Sequence, residues 1–126
     1  MKKRILFVDD ESNLLQGLQR RLRSMRQEWD MTFAANGNEA LQSLSKTPCD
    51  VVVTDIFMPE KEGLETIMEM HRNFPATKII AMSGGGRKGK LMQALDIAEK
   101  LGAHRILQKP FSTQQLIAAV QQVMKP

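Results

Sequence analysis

The sequence predicts a doubly wound α/β domain built around a five-stranded parallel sheet, and three observations lead there. Short apolar runs of strand length recur along the chain. Segments with helical periodicity lie between them, and the connections are short. Strands alternating with helices favour parallel pairing, with right-handed crossovers that place helices on both faces of the sheet.

The strands are expected at Ile5 to Val8, Met31 to Ala34, Val51 to Val53, Lys78 to Met82 and Arg105 to Leu107, the second being the weakest. Ile5 to Val8 and Val51 to Val53 are continuously apolar, as strands covered on both faces should be. Leu14, Leu15, Leu18, Leu22 and Met25 mark a first helix. Asn38 is placed to cap a second, carrying Ala40, Leu41 and Leu44. Leu64, Ile67 and Met68 form the expected buried stripe of a third, which ends before Phe74-Pro75. Leu91, Leu95, Ala98 and Leu101 mark a fourth, stopped by Gly102. Ser112 and Gln115 make a capping box for the last helix, with Leu116, Ile117, Val120 and Val123 on its apolar side.

With 126 residues, 42% of them apolar, residues 1–126 are expected to form a single domain. The net charge of +4 arises from 18 basic against 14 acidic residues, too small an excess to imply nucleic-acid binding. Lone Cys49 excludes an internal disulfide, and Ile5 to Val8 is too short for a secretory core or a membrane span. A soluble, cytoplasmic protein without membrane contact is the expectation. Lys125-Pro126 is placed to begin a linker.

Polar residues collect at the strand ends. Strand one ends in Asp9-Asp10-Glu11, strand three in Asp55, strand four in Ser83 before three glycines, and strand five in Lys109-Pro110. In open parallel sheets, ligands bind beyond the carboxyl ends of strands near a topological switch point. With the flavodoxin-like order 2-1-3-4-5, all these side chains converge on one edge. Singly, each has an ordinary explanation as a helix cap, a turn residue or a solvated strand end. Together, clustered carboxylates repel and need a cation or raised pKa values to offset them. Mg²⁺ suits such a cluster, because it prefers oxygen ligands and takes one or two carboxylates together with phosphate oxygens. Lys109 would add a second positive charge for an incoming phosphoryl group.

Four segments in order carry a resemblance: Ile5-Leu6-Phe7-Val8-Asp9-Asp10-Glu11, Asp55-Ile56-Phe57-Met58-Pro59-Glu60-Lys61-Glu62-Gly63, Ser83-Gly84 and Lys109-Pro110-Phe111. They resemble the receiver domains of bacterial two-component response regulators, including the chemotaxis regulators, over essentially the whole chain. The resemblance implies that Asp55 is the phospho-acceptor and Asp10 a direct Mg²⁺ ligand. It implies that Asp9 helps hold the metal, often through water, and that Asp55 and the Phe57 backbone carbonyl complete the protein ligands. Ser83 is then the hydroxyl that contacts the phosphoryl group, Lys109 the lysine that pairs with it, and Lys109-Pro110 a candidate cis bond. The implied donor is a sensor histidine kinase, a phosphotransfer protein or a small phosphodonor. The domain would be a signalling phospho-acceptor that promotes only its own phosphorylation and dephosphorylation. Its partner would be a downstream protein or an output domain elsewhere, and its state a monomer or a weak phosphorylation-dependent dimer. His71 is read as a favourable helix-end charge and His104 as a loop residue.

Two rival readings are weaker. Gly84 to Leu91 fits G-x-x-x-x-G-K, but Leu91 stands where a P-loop needs Ser or Thr for Mg²⁺. Arg20, Arg21, Arg23 and Arg26 suggest nucleic-acid binding, yet at a 100° step they fan around the polar side of the first helix, and no reader motif is left over. Two departures from the receiver pattern bear on mechanism. Ile106 stands where receivers often place Tyr or Phe, so the switch pair would be Ser83 and Ile106 without an aromatic ring. The movement is then expected in the Gly84 to Gly89 loop and on the face formed by the fourth helix, fifth strand and last helix. Phe57 and Gly85, two residues beyond Asp55 and Ser83, offer no polar side chain.

Overall fold

A computed structural model describes residues 2–56, 63–83, 96 and 99–125, without the side chain of residue 64. Its strands are β1 (Lys3–Val8), β2 (Trp29–Ala34), β3 (Val51–Asp55), β4 (Lys78–Ser83) and β5 (Arg105–Gln108). Its helices are α1 (Ser12–Arg21), α2 (Gly37–Lys46), α3 (Gly63–Asn73) and a C-terminal helix (Thr113–Met124). All strand pairs are parallel, and the order β2-β1-β3-β4-β5 is the expected one.

The period-two alternation of the strands divides the core into two layers. Ile5, Phe7, Val53, Ile80 and Met82 pack against Leu15 and Leu18 of α1 and Leu116 and Val120 of the C-terminal helix. Leu6, Val8, Val52, Ile79 and Ala81 face Ala40 and Leu44 of α2 and Ile67 and Met70 of α3. Ile5 through Val8 are wholly inaccessible, so burial on both faces accounts for the unbroken apolar run.

Four local expectations are corrected. The first helix stops at Arg21, and the chain tightens into a 3₁₀ turn at Arg23–Met25. That turn brings the chain round so that Glu28 C=O can accept from Lys3 N–H beside β2. The cap of α2 is Asn36, not Asn38: Asn36 Oδ1 accepts from Glu39 N–H at 2.9 Å, and Glu39 Oε1 accepts from Ala35 N–H at 3.1 Å. Glu39 also accepts from the Asn36 side-chain amide at 3.3 Å, so it braces the chain at this cap, and Asn38 has no acid three residues on. On α3, Met68 is 37% exposed whereas Thr66, Ile67 and Met70 are inaccessible. The buried face turns toward α2, whose Gly37 lies so close to the Thr66 hydroxyl that a Cβ there would collide with it. Lastly, His104 is more than a loop residue, because its Nδ1 accepts from Ile79 N–H at 3.0 Å.

The capping box is present, with both Ser112–Gln115 hydrogen bonds formed. Gly102, at φ +125°, supplies the expected stop, with the His71 ring packed where a side chain would go. Of the fourth helix, Asp96, Glu99, Lys100 and Leu101 are described as helical, whereas Leu91, Leu95 and Ala98 lie outside the described residues.

At the amino end of the sheet, His104 N–H donates to Ile79 C=O at 2.7 Å while its ring accepts from Ile79 N–H. The ring must be neutral at Nδ1 to accept. Partial desolvation, then the charges of Lys78 and His71, hold its pKa below the ordinary histidine range. A depressed folded pKa contributes stability that is present above the unfolded value of about 6.5 and lost as pH falls through the folded one. Thermal melts should therefore show an acid-side loss in the native protein. The loss should be smaller in His104→Asn, whose side-chain carbonyl can accept the same bond without titrating; equal losses would assign the acid sensitivity to other groups.

Candidate functional site

Each polar strand end sits one residue beyond, or at the last residue of, a strand whose interior is apolar. Asp9 follows β1, Asp55 ends β3, Ser83 ends β4 and Lys109 follows β5. Parallel register holds these ends together: Val8 pairs with Thr54, Asp55 with Met82, and Ser83 with Gln108. Lys109 N–H also donates to Ser83 C=O at 2.7 Å, which ties the lysine to the end of β4. Lys109-Pro110 is cis, as expected.

One carboxylate oxygen from each of Asp9, Asp10 and Asp55 lies within 4.8 Å of the others. Asp9 is inaccessible and Asp55 nearly so, whereas Asp10 is exposed. Asp9 Oδ1 accepts from the backbone N–H of Glu11 at 2.9 Å, a bond at the start of α1 that fixes the carboxylate's orientation. That backbone donor is an orienting feature which sequence reasoning missed, since every residue type but proline supplies one.

Lys109 Nζ reaches both buried carboxylates, 2.7 Å from Asp9 Oδ2 and 3.2 Å from Asp55 Oδ2. Burial alone would lower the ammonium's pKa. The hydrogen bond to Asp9 and the negative charges of Asp55 and Asp9 outweigh it and hold the group above the usual lysine value. Among the described residues, Lys109 is the cation set against this cluster of three carboxylates. Ser83 is inaccessible, and among the described residues its Oγ is the buried side-chain polar atom without a hydrogen-bond partner. An unmade bond of that kind costs about 1–3 kcal/mol, which singles this hydroxyl out at the end of β4.

The donor set consists of carboxylate oxygens and suits a hard divalent ion better than a soft metal. Asp9, Asp10, Asp55, Ser83 and Lys109 are therefore brought together as expected. The Phe57 carbonyl and the Gly84 to Leu91 segment lie outside the described residues. Ile106 is half-buried and packs with the core layer that holds Ile79 and Ala81.

The sheet and its acidic carboxyl edge define a doubly wound domain with a carboxylate-lined pocket at its switch point. The model of the response regulator receiver domain matches residues 5–121, and the chain belongs to that family. It is 32% identical over 125 residues to the chemotaxis protein CheY of Thermotoga maritima, covering 99% of this chain and 100% of that one. Over 92 residues it is 33% identical to CheY of Listeria monocytogenes, covering 73% of this chain and 74% of that one. Among solved structures, a CheY-like receiver domain from Methanospirillum hungatei superposes with a TM-score of 0.87 at 23% identity, covering 98% of this chain and 94% of that one. A receiver domain from Clostridium thermocellum gives 0.84 at 30% identity, covering 97% and 94%. Receiver domains are signalling phospho-acceptors of two-component systems and bind Mg²⁺ at an acidic pocket.

Because Asp9 is inaccessible and, among the described residues, pairs with Lys109, removing that charge should be costly. Lys109→Met, which keeps the apolar stem, should lower the unfolding free energy by about 3 kcal/mol in metal-free buffer, measured by urea denaturation. An unchanged midpoint would show that the pair contributes nothing net.

Proposed function

We propose that this chain accepts a phosphoryl group on Asp55 in a Mg²⁺-assisted reaction and changes partner binding in response. The observation that carries the reading is Lys109 held between Asp9 and Asp55, with the unpartnered Ser83 hydroxyl at the end of the adjoining strand. An Asp55 oxygen forms the bond to phosphorus while the bond from phosphorus to the donor breaks, the electron pair leaving with the donor group. Lys109 pairs with a phosphoryl oxygen and Ser83 Oγ donates to another, so negative charge entering an acidic pocket is offset where it accumulates. Mg²⁺, held by Asp10, Asp55 and the Phe57 carbonyl with Asp9 in support, would supply positive charge beside the same oxygens.

The donor is a sensor histidine kinase, a phosphotransfer protein or a small phosphodonor. The chain acts as one receiver domain over residues 1–126, in the cytoplasm, as a monomer or weak phosphorylation-dependent dimer, and turns over nothing but its own phosphorylation. Among the described residues no helix is long and apolar enough to cross a membrane. Ser83 and Ile106 form the switch: Ser83 is drawn toward the phosphoryl group, and Ile106, lacking a ring, leaves the rearrangement to the loop after β4.

Incubation with acetyl phosphate and Mg²⁺ should add one phosphoryl group, read as intact mass. Asp55→Asn should abolish the addition, and chelating Mg²⁺ or substituting Asp10→Ala should slow it by about tenfold or more, given the charge repulsion left behind. Normal labelling of the Asn variant would overturn the assignment.

Hydrolysis requires a water oxygen to attack phosphorus as the bond to Asp55 breaks, and that water must be oriented. Neither Phe57 nor Gly85 has a polar side chain to hold it. The phosphorylated protein should be long-lived, and Phe57→Asn should shorten its half-life; an equal or longer half-life would count against this account.

A further inference from the structure

On the expected single helix the arginines of the first helical segment would fan around its polar side, but the observed backbone gathers three of them. Residues three apart eclipse one another in a 3₁₀ turn, and the turn at Arg23–Met25 falls between Arg23 and Arg26. Arg20, Arg23 and Arg26 line a depression of about 250 Å³ together with Gln16 and Gln19. Gln19 and Arg26 also line a second depression of about 370 Å³, with Lys2, Trp29, Asp30 and Phe33. The two share a wall and make one groove with four cations against a single acid. Among the described residues, none of these four forms an ion pair.

The groove runs beside β2, an edge strand that pairs only with β1, so unpaired backbone N–H and C=O groups lie along it. Cationic walls next to a free strand edge fit an extended polypeptide with acidic side chains. A single nucleic-acid strand fits less well, because its bases need exposed aromatic faces. Trp29 is 3% exposed, and Phe33 is stacked on Phe7 with ring centroids 5.3 Å apart. A lipid surface also fits less well, because the face is concave and the exposed large apolar residue among those described, Met68, is on α3.

We propose that this groove docks an extended acidic segment of a partner protein. The surface runs along β2 from Trp29, opposite Lys3, to Phe33, opposite Phe7, so its far end is six strand residues, roughly 20 Å at about 3.3 Å per residue, from Asp9, and its lining shares no residue with the phosphoryl site. Trp29, the chain's single tryptophan, lines the groove and provides a built-in reporter.

The test is titration of the full chain with a fluorescein-labelled peptide of alternating glutamate and threonine, followed by anisotropy and Trp29 emission. The expected result is salt-sensitive binding that perturbs Trp29 emission. It should weaken about tenfold in Arg20→Glu/Arg23→Glu and less than about twofold in Lys46→Glu/Arg72→Glu, which changes net charge equally. Circular dichroism confirms that both variants are folded. Equal weakening by both pairs, or absence of binding, overturns the proposal. So does tighter arginine-dependent binding of an oligothymidylate or of vesicles containing phosphatidylglycerol.

Discussion

A parallel sheet covered by helices on both faces leaves no place for an ionised side chain in the interiors of its central strands, and this constraint orders the rest of the molecule. From Ile5 to Val8 every residue is inaccessible, and the first position able to carry charge is Asp9. The same holds at Asp55 after Val51–Val53 and at Ser83 after Ile79–Met82. Because the strands are parallel and in register, these first polar positions all fall at one edge. The site is a consequence of the core having nowhere else to put polar groups, together with the strand order that places β1 and β3 side by side.

Crowding carboxylates at that edge creates an electrostatic problem that the fold resolves only in part. Lys109 bridges Asp9 and Asp55, and its raised pKa records how strongly it is held. Asp10 stays exposed to solvent, and among the described residues Lys109 is the ammonium that meets these acids. An acidic pocket of this kind suits a further cation, as in receiver domains generally, and the unpartnered Ser83 hydroxyl would suit an oxygen acceptor. A metal ion and a phosphoryl group together meet both demands.

Much of this was legible in the sequence because it depends on pattern and order. The strands, their succession, and the residues Asp9, Asp10, Asp55, Ser83 and Lys109 at their ends follow from apolar runs of strand length. What escaped depends on geometry that a residue string does not encode. The end of α1 at Arg21 involves no glycine or proline, so nothing in the local sequence announces the 3₁₀ turn. The choice of Asn36 over Asn38 turns on a reciprocal bond with Glu39, and the outward rotation of Met68 on how closely Gly37 approaches Thr66. The acceptor role of His104 depends on where β5 begins relative to Ile79.

The two sides of the β4–β5 pair show how tightly the site is joined to the sheet. At the carboxyl end, Lys109 N–H donates to Ser83 C=O, and at the amino end His104 and Ile79 exchange a reciprocal pair of bonds. Ser83 and Lys109 are therefore not independent ligands: a group that draws one side chain works against a shared backbone bond, and a shift of the pair is resisted at its far end. Ile106 lies opposite Ala81 in the register between these two anchors, half-buried against the α2 and α3 layer of the core. A branched aliphatic side chain there transmits a change in strand position through packing alone, because it has no polar tip to exchange hydrogen bonds. A displacement of β4 and β5 would then reach this layer of the core through backbone and apolar contacts at Ile106.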